Sequence, residues 1–158
     1  MSWRGSTTTS DRFFACLFYL LPVLDGFVFG ESLIRDFFGV SLMGIMLSLP
    51  LVQVYFAPFV SFMVFFAIYL LIVRNENISH FIRFNAMQAI LIGIVLSLVN
   101  LVWSVFATVL SGTLIQQTLF SCIFLGMAVA VIYSIGQSIL GRYAEIPTIS
   151  DAVYLQIR

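Results

Sequence analysis

Long apolar runs separated by short polar segments dominate this sequence. Each run is close to the roughly 20 residues that a helix needs to cross the hydrocarbon core of a bilayer. We therefore predict an all-α integral membrane protein with a single membrane domain. Its four transmembrane helices are expected at about 11–30, 53–73, 80–108 and 114–140, with an interfacial or re-entrant helix at about 33–49 and a polar tail at 141–158.

The placement of the second span depends on proline and on charge. The segment 37–73 carries no charged residue, is too long for one span, and is divided by Pro50 and Pro58. Arginines in short loops accumulate on the cytoplasmic side. Four spans put all the arginines but one on the same side, which predicts that both termini are cytoplasmic, or stromal in a plastid. That side holds Arg4, Arg12, Arg74, Arg83, Arg142 and Arg158, and the other side holds Arg35.

The first run has a start signal, a break signal and a packing face. Ser10 is a candidate N-cap, Asp11 is favourable in the first turn, and Pro22 predicts a kink. One face carries mostly small residues at helical spacing, so another helix is expected to pack closely on it. That face consists of Ala15, Tyr19, Pro22, Gly26 and Gly30.

Asp25 is a carboxylate inside the first run. An ionisable residue within a membrane span is a functional candidate by default. The alternative is that the span ends soon after Asp25, so that the side chain reaches interfacial water or Arg35.

A stripe of polar and small residues runs along one face of the third predicted span. It consists of Asn85, Gln88, Gly93, Ser97 and Asn100, which recur at helical spacing. Gly126 and Gln137 lie on a similar face of the fourth span. The turn at 111–113 is short, so the two spans are expected to be antiparallel neighbours. The stripes either pack one helix on another through small side chains and hydrogen bonds, or line part of a hydrated path.

Three residues are predicted to lie at the membrane interface, namely Arg74, His80 and Arg83. A lone histidine at a boundary is more often interfacial than a metal ligand or a proton relay. Arg83 is expected to extend back to the surface or to lipid phosphates, and a buried ion pair is the alternative.

Composition excludes several classes of function. A hydrophobic content of 61% with only 9% charged residues does not fit a soluble surface, and a formal net charge of +0 provides no field for nucleic acid. Cys16 and Cys122 lie inside apolar runs, and the single histidine has only Glu76 as an acidic neighbour at helical spacing. We predict that the protein is not an enzyme, with no catalytic, cofactor-binding or metal-binding residues.

Three stretches carry a resemblance to a known family. They are 11–30, with Tyr19-Leu-Leu-Pro-Val-Leu-Asp25-Gly26; 74–89, with Ile78-Ser-His-Phe-Ile-Arg-Phe-Asn-Ala-Met-Gln-Ala89; and 145–154, with Glu145-Ile-Pro-Thr-Ile-Ser-Asp-Ala-Val-Tyr154. Together they resemble the twenty-kilodalton subunit family of the translocon at the inner envelope of chloroplasts (Tic). The order of the stretches covers the chain from end to end, and the middle one is the most specific.

The resemblance implies a subunit of a preprotein import complex that forms a channel or is associated with one. The polar start of the chain, without a long transit peptide, is similar to cyanobacterial or plastid-encoded members. The implied location is a cyanobacterial membrane or the plastid inner envelope. The implied partners are other translocon subunits, a second copy of the chain, the translocating polypeptide and lipid, with no nucleic acid.

Two other functions remain open from the residues. A non-conducting scaffold would use the small-residue faces to hold or assemble membrane protein complexes. A small-solute transporter is disfavoured because the sequence has no inverted repeat and few central charges. Four such helices do not enclose a pore wide enough for a polypeptide, so a translocation function requires oligomers or partners.

Overall fold

The computed structural model describes residues 7–157, and every regular element in that range is helical. Arg4 and Arg158, which entered the charge comparison, lie outside the described residues. The helices are α1 (Thr9–Phe18), α2 (Leu20–Phe38), α3 (Leu42–Leu47), α4 (Pro50–Tyr55), α5 (Val60–Ile68, followed by a π-helical turn at Tyr69–Val73), α6 (His80–Leu110), α7 (Leu114–Ile139) and α8 (Ile149–Gln156).

The first span is longer than the predicted 11–30. It starts at Thr9, where Thr8 rather than Ser10 is the N-cap and forms a capping box with Asp11. Its two parts, α1 and α2, meet at Tyr19, one turn before Pro22, because proline has no N–H to donate into that turn. The helix then continues past Glu31 to Phe38, and Gly39 ends it in a left-handed conformation with φ 67°.

The prediction of one helix at 33–49 and one at 53–73 is wrong in its helix boundaries. Residues 33–38 belong to α2, and two six-residue helices, α3 and α4, follow it. The Met43 N–H in the first turn of α3 donates to Glu31 Oε2 at 3.0 Å, which holds this segment against the end of α2. Beyond Pro58, Phe59 has φ 65°, so the chain turns sharply before α5.

The predicted bounds of the last two long helices are within two residues of those observed. Polar side chains start both, since Ser79 Oγ accepts from the Ile82 N–H and Thr113 Oγ1 accepts from the Gln116 N–H. Within the described residues, three helices are long and apolar enough to cross a membrane: Thr9–Phe38, His80–Leu110 and Leu114–Ile139. Val60–Val73 is apolar but shorter.

The first span packs against both α6 and α7, and α7 contacts it far more than it contacts α6. The predicted contact between α6 and α7 is present towards both ends of the pair: the Trp103 and Phe120 rings lie 5.0 Å apart near the connecting turn, and Ser138 Oγ donates to Asn85 Oδ1 near the other end. The small-residue face predicted on the first span is confirmed, because all its members are buried. At Gly30 an added Cβ would lie 2.5 Å from the Phe124 ring, so glycine is what allows this close approach.

The tail folds back against the start of α6. Val153 of α8 and Ile157 pack with Phe84, Met87 and Val73 in a second apolar cluster. At the same end of the molecule, the Arg12 guanidinium donates to the Ile139 carbonyl at 3.3 Å, and Ser79 Oγ donates to Asp11 Oδ1 at 3.1 Å. The N-terminal turn thus ties together the ends of all three long helices.

Candidate functional site

Asn85 is the centre of a buried polar cluster where α1, α6 and α7 meet. Its Oδ1 accepts hydrogen bonds from the Tyr19 hydroxyl and from Ser138 Oγ, both at 2.9 Å. Its Nδ2 donates to the Phe81 carbonyl at 2.8 Å. Asn85, Tyr19 and Ser138 are fully buried, so this part of the predicted stripe joins the helices to one another.

Gln88 extends the cluster by one helical turn. Its Nε2 donates to Ser134 Oγ at 3.1 Å, and both residues have no exposed surface. Gln88 Oε1 is buried and accepts no hydrogen bond from the described residues. With that exception the cluster is satisfied internally, which is what a contact between helices in an apolar medium requires.

A second polar feature is open to the surroundings. We call it the lateral groove, a cavity of about 340 Å³ between α2, the α4–α5 segment and α6. Its walls are mostly apolar, and Phe62, Leu98 and Leu101 at its edge are each more than half exposed. The polar side chains in its lining are Asp25, Tyr55, Ser61 and Ser97.

Asp25 is the polar centre of the lateral groove. The Tyr55 hydroxyl donates to Asp25 Oδ1 at 2.9 Å, and this hydrogen bond joins α4 to α2 at the wall of the groove. An added Cβ at Gly93 would stand 3.4 Å from Asp25 Oδ2, so the glycine leaves room for the carboxylate against α6. The helix does not end soon after Asp25, since α2 continues for about 20 Å beyond it through Glu31 and Arg35 to Phe38.

The outer half of the α6 stripe is exposed. Ser97 lines the lateral groove, while Asn100 and Ser104 lie further along the same face with open surroundings. An amide exposed on an apolar helix is costly in lipid unless a partner or water satisfies it. The exposure of Asn100 also disfavours the closed midplane cavity that a solute transporter would need.

The face predicted on α7 is displaced from the face that packs. Gly126 is exposed with no atom within 4 Å of an added Cβ, and Gln137 is only partly buried. From residue 126 onward, the buried residues of α7 lie one position further along the chain, about 100° around the helix. They are Met127, Val131, Ser134 and Ser138.

The three residues predicted at the interface differ in their surroundings. Arg74 is exposed, and His80 Nδ1 lies 3.1 Å from the Tyr143 hydroxyl. Arg83 does not extend to the surface. It is 8% exposed, and its Nε donates to the Val73 carbonyl at 2.9 Å, because the π-helical turn ends there with carbonyls that the helix itself does not satisfy.

Sequence reasoning missed Tyr55, Ser134 and Ser138 as polar partners. Ser134 and Ser138 are spaced i, i+4, which is a signal for a shared helix face, but a serine pair on an apolar helix is common. Tyr55 reaches Asp25 from thirty positions away, so no local pattern connects them. Among the described residues, no group of three or more His, Cys, Asp or Glu side chains is arranged to hold a metal ion.

Comparison with known proteins identifies close relatives. A protein-family profile described as "Chloroplast import apparatus Tic20-like" matches residues 9–153. A "Tic20 family protein" of Synechocystis sp. is 47% identical over 160 residues, covering 100% of this chain and 99% of that protein. "Tic20 family protein Ycf60" of Gracilaria tenuistipitata var. liui is 35% identical, covering 95% of this chain and 76% of its own length. "Protein TIC 20-v, chloroplastic" of Arabidopsis thaliana is 29% identical, covering 96% and 73%.

Proposed function

Because the chain belongs to the Tic20 family, we propose that it is a non-enzymatic subunit of a membrane protein-translocation complex, and that it is associated with the channel rather than forming one alone. The coarse function is supported by the family description, which names an import apparatus. The location is a cyanobacterial membrane or a plastid inner envelope, as the organisms of the relatives suggest.

The proposal of a channel-associated function rests on the α6 stripe, whose two halves differ in exposure. Its inner half, with Asn85 and Gln88, is closed by hydrogen bonds to Tyr19, Ser138 and Ser134. Its outer half, with Ser97, Asn100 and Ser104, is exposed. A polypeptide path that uses this stripe therefore lies on the outside of the bundle, and other subunits or copies supply its remaining walls.

The topology we propose has four crossings. The three long helices provide three of them, and Val60–Val73 provides the fourth at about 21 Å, short of a core of about 30 Å. The short helices α3 and α4 would then dip into the bilayer from its outer side, since Tyr55 of α4 reaches Asp25, and both termini would share the side of Arg74. Labelling of single cysteines in a chain whose Cys16 and Cys122 are replaced tests this, because Asp36→Cys and Glu76→Cys should react with an impermeant maleimide from opposite sides only if Val60–Val73 crosses.

Site-specific photo-crosslinking tests the path. A photoreactive residue replaces Asn100 in native membranes while a precursor protein is stalled in transit. The same substitution at Gln88 is a buried control, and the substitution at Val129 is an exposed control on α7. Precursor adducts from position 100 but from neither control are expected. Adducts to resident membrane proteins alone, with translocation verified in the same sample, would exclude a path along this stripe.

A scaffold that holds other membrane proteins is the second candidate function. It is favoured by the same closed cluster, since polar residues satisfied inside the bundle need no passing chain. The crosslinking experiment separates the two functions, because a scaffold gives the same resident partner with or without a stalled precursor.

A further inference from the structure

The lateral groove has the features of an incomplete helix contact. It is bounded on three sides, by Leu21 and Asp25 of α2, by the α4–α5 segment, and by α6 from Ala89 to Leu101. Val60–Val73 is about 21 Å long beside the roughly 46 Å of α6, and within residues 7–157 the Leu98, Leu101 and Val105 side chains in the outer half of α6 are each more than half exposed. Small residues line the groove at Ser61, Gly93 and Ser97, where the backbone of another helix can come close.

Asp25 gives the groove its chemical specificity. It is the only charged residue among the described residues that line the groove. Tyr55 donates to one carboxylate oxygen, and within residues 7–157 no hydrogen bond reaches the other, Oδ2. A cationic donor would stabilise a carboxylate with one free oxygen in an apolar cavity, because an ionised group without a partner has a high free energy in lipid.

The depth of Asp25 limits what the donor can be. Along the first span it lies about 20 Å from Arg12, and its neighbour Gly93 lies about 15 Å from Arg83. With these arginines at the inner edge, both distances place it inside a hydrocarbon core of about 30 Å, and the nearest charge on the outer side is Glu31, about 9 Å further along α2. The headgroup of an inner-leaflet lipid does not reach that depth. A second copy of this chain does not supply the cation either, because its described arginines lie near helix ends or in loops.

From these observations we infer that the lateral groove binds a transmembrane helix of a different, resident partner subunit, and that this helix carries a lysine or arginine opposite Asp25. The contact is centred on Gly93, and Asn100 lies about 10 Å further out along α6, so a path beside Asn100 remains compatible with it. The inference does not rest on translocation, since a scaffold would use the same contact.

Reconstitution with synthetic helices tests the inference directly. The full chain, with a photoreactive residue at Ser61, is placed in vesicles of phosphatidylcholine and phosphatidylglycerol. The probe is a peptide helix of about 20 leucine and alanine residues with one central lysine. Matched peptides carry glutamine or leucine at the centre. The lysine peptide is expected to give about tenfold more adduct than the leucine peptide, with the glutamine peptide between them.

Variants and a second labelling position make the test specific. Asp25→Asn should remove the preference for lysine, and Asp25→Glu should keep part of it. Asp151→Asn, an exposed acid on α8, is the matched control and should change nothing. The photoreactive residue at Val129, on the exposed face of α7, should show no preference among the peptides. Intrinsic fluorescence of the two tryptophans, Trp3 and Trp103, reports whether each variant folds.

Each contrary result overturns the inference. Equal adducts from the lysine and leucine peptides with the wild-type chain would do so without any reliance on a variant. A lysine preference that survives Asp25→Asn would place the cation elsewhere. Adducts from Ser61 to a photoreactive phospholipid alone would show that lipid fills the groove, and adducts between two copies of the chain would identify a homo-oligomer contact.

Discussion

Asp25 and Gly26 are adjacent in the chain, yet they face two different sides of the first span. Gly26 faces α7, and the Met127 side chain occupies the space where a Cβ of Gly26 would lie. Asp25 faces the lateral groove. We call the first the closed side and the second the open side. On the closed side polar groups satisfy one another, and on the open side a carboxylate has one partner and a free oxygen. A polar residue on an apolar helix can therefore either join helices within the bundle or be available to an outside partner, and its burial distinguishes the two cases.

The largest effect is expected at Asn85 of α6, which bonds to Tyr19 on the closed side of the first span. Asn85→Leu removes three hydrogen bonds and leaves the Tyr19 and Ser138 hydroxyls without their acceptor. The free energy of unfolding should fall by about 2–4 kcal/mol. Steric-trapping or detergent-titration unfolding in bicelles measures it. Asn100→Leu, on the same helix but exposed, should change it by less than about 0.5 kcal/mol. Equal losses at both positions would abolish the distinction between the two sides.

A smaller effect is expected where the backbones approach on the closed side. Gly30→Ala places a Cβ 2.5 Å from the Phe124 ring and should cost about 1–3 kcal/mol in the same unfolding measurement. Gly26→Ala should cost less, because the end of the Met127 side chain is flexible. Gly126→Ala is the control, since an added Cβ there has no atom within 4 Å. Alanine has the higher helix propensity, so this control should be neutral or slightly stabilising. A control as damaging as Gly30→Ala would show that the close approach to Phe124 does not cause the loss.

The smallest effect is expected on the open side. Tyr55→Phe removes the hydroxyl that donates to Asp25, and the partly buried pair should contribute less than about 1 kcal/mol to the free energy of unfolding. The same bicelle measurement applies, with Tyr133→Phe, exposed on α7, as the matched control. A loss as large as that of Asn85→Leu would show that the lateral groove belongs to the packed core.

The sequence predicted those parts of the fold that local signals determine. The predicted bounds of α6 and α7 are within two residues of those observed, and the spacing of Ala15, Tyr19, Pro22, Gly26 and Gly30 identified the closed side of the first span. The end of the first span was not predictable in this way. The charged residues Glu31 and Arg35 suggest a loop, but α2 continues through them and ends at Gly39, which has a left-handed conformation. Within the helix, the Glu31 carboxylate accepts a hydrogen bond from the Met43 N–H.

The candidate site was only partly predictable, because its partners are distant in sequence. Asn85 and Gln88 were identified as polar positions, but their burial depends on Tyr19, Ser134 and Ser138, which belong to other helices. Two faces of α7 have helical spacing of small and polar residues, and only the position of the first span decides which of them packs. Asp25 was singled out by its charge alone, while its place in a groove depends on Tyr55.

The position of the first span, packed against α7 more than against its neighbours in sequence, has a consequence for biogenesis. Gly30 finds Phe124 only after roughly ninety further residues have been synthesised, which takes about 5–20 s at ordinary elongation rates. Throughout that interval the glycine face of the first span has not yet met its partner side chains on α7. The newly inserted protein is therefore incomplete until its last long helix arrives, and membrane quality control has that interval in which to recognise chains that never close.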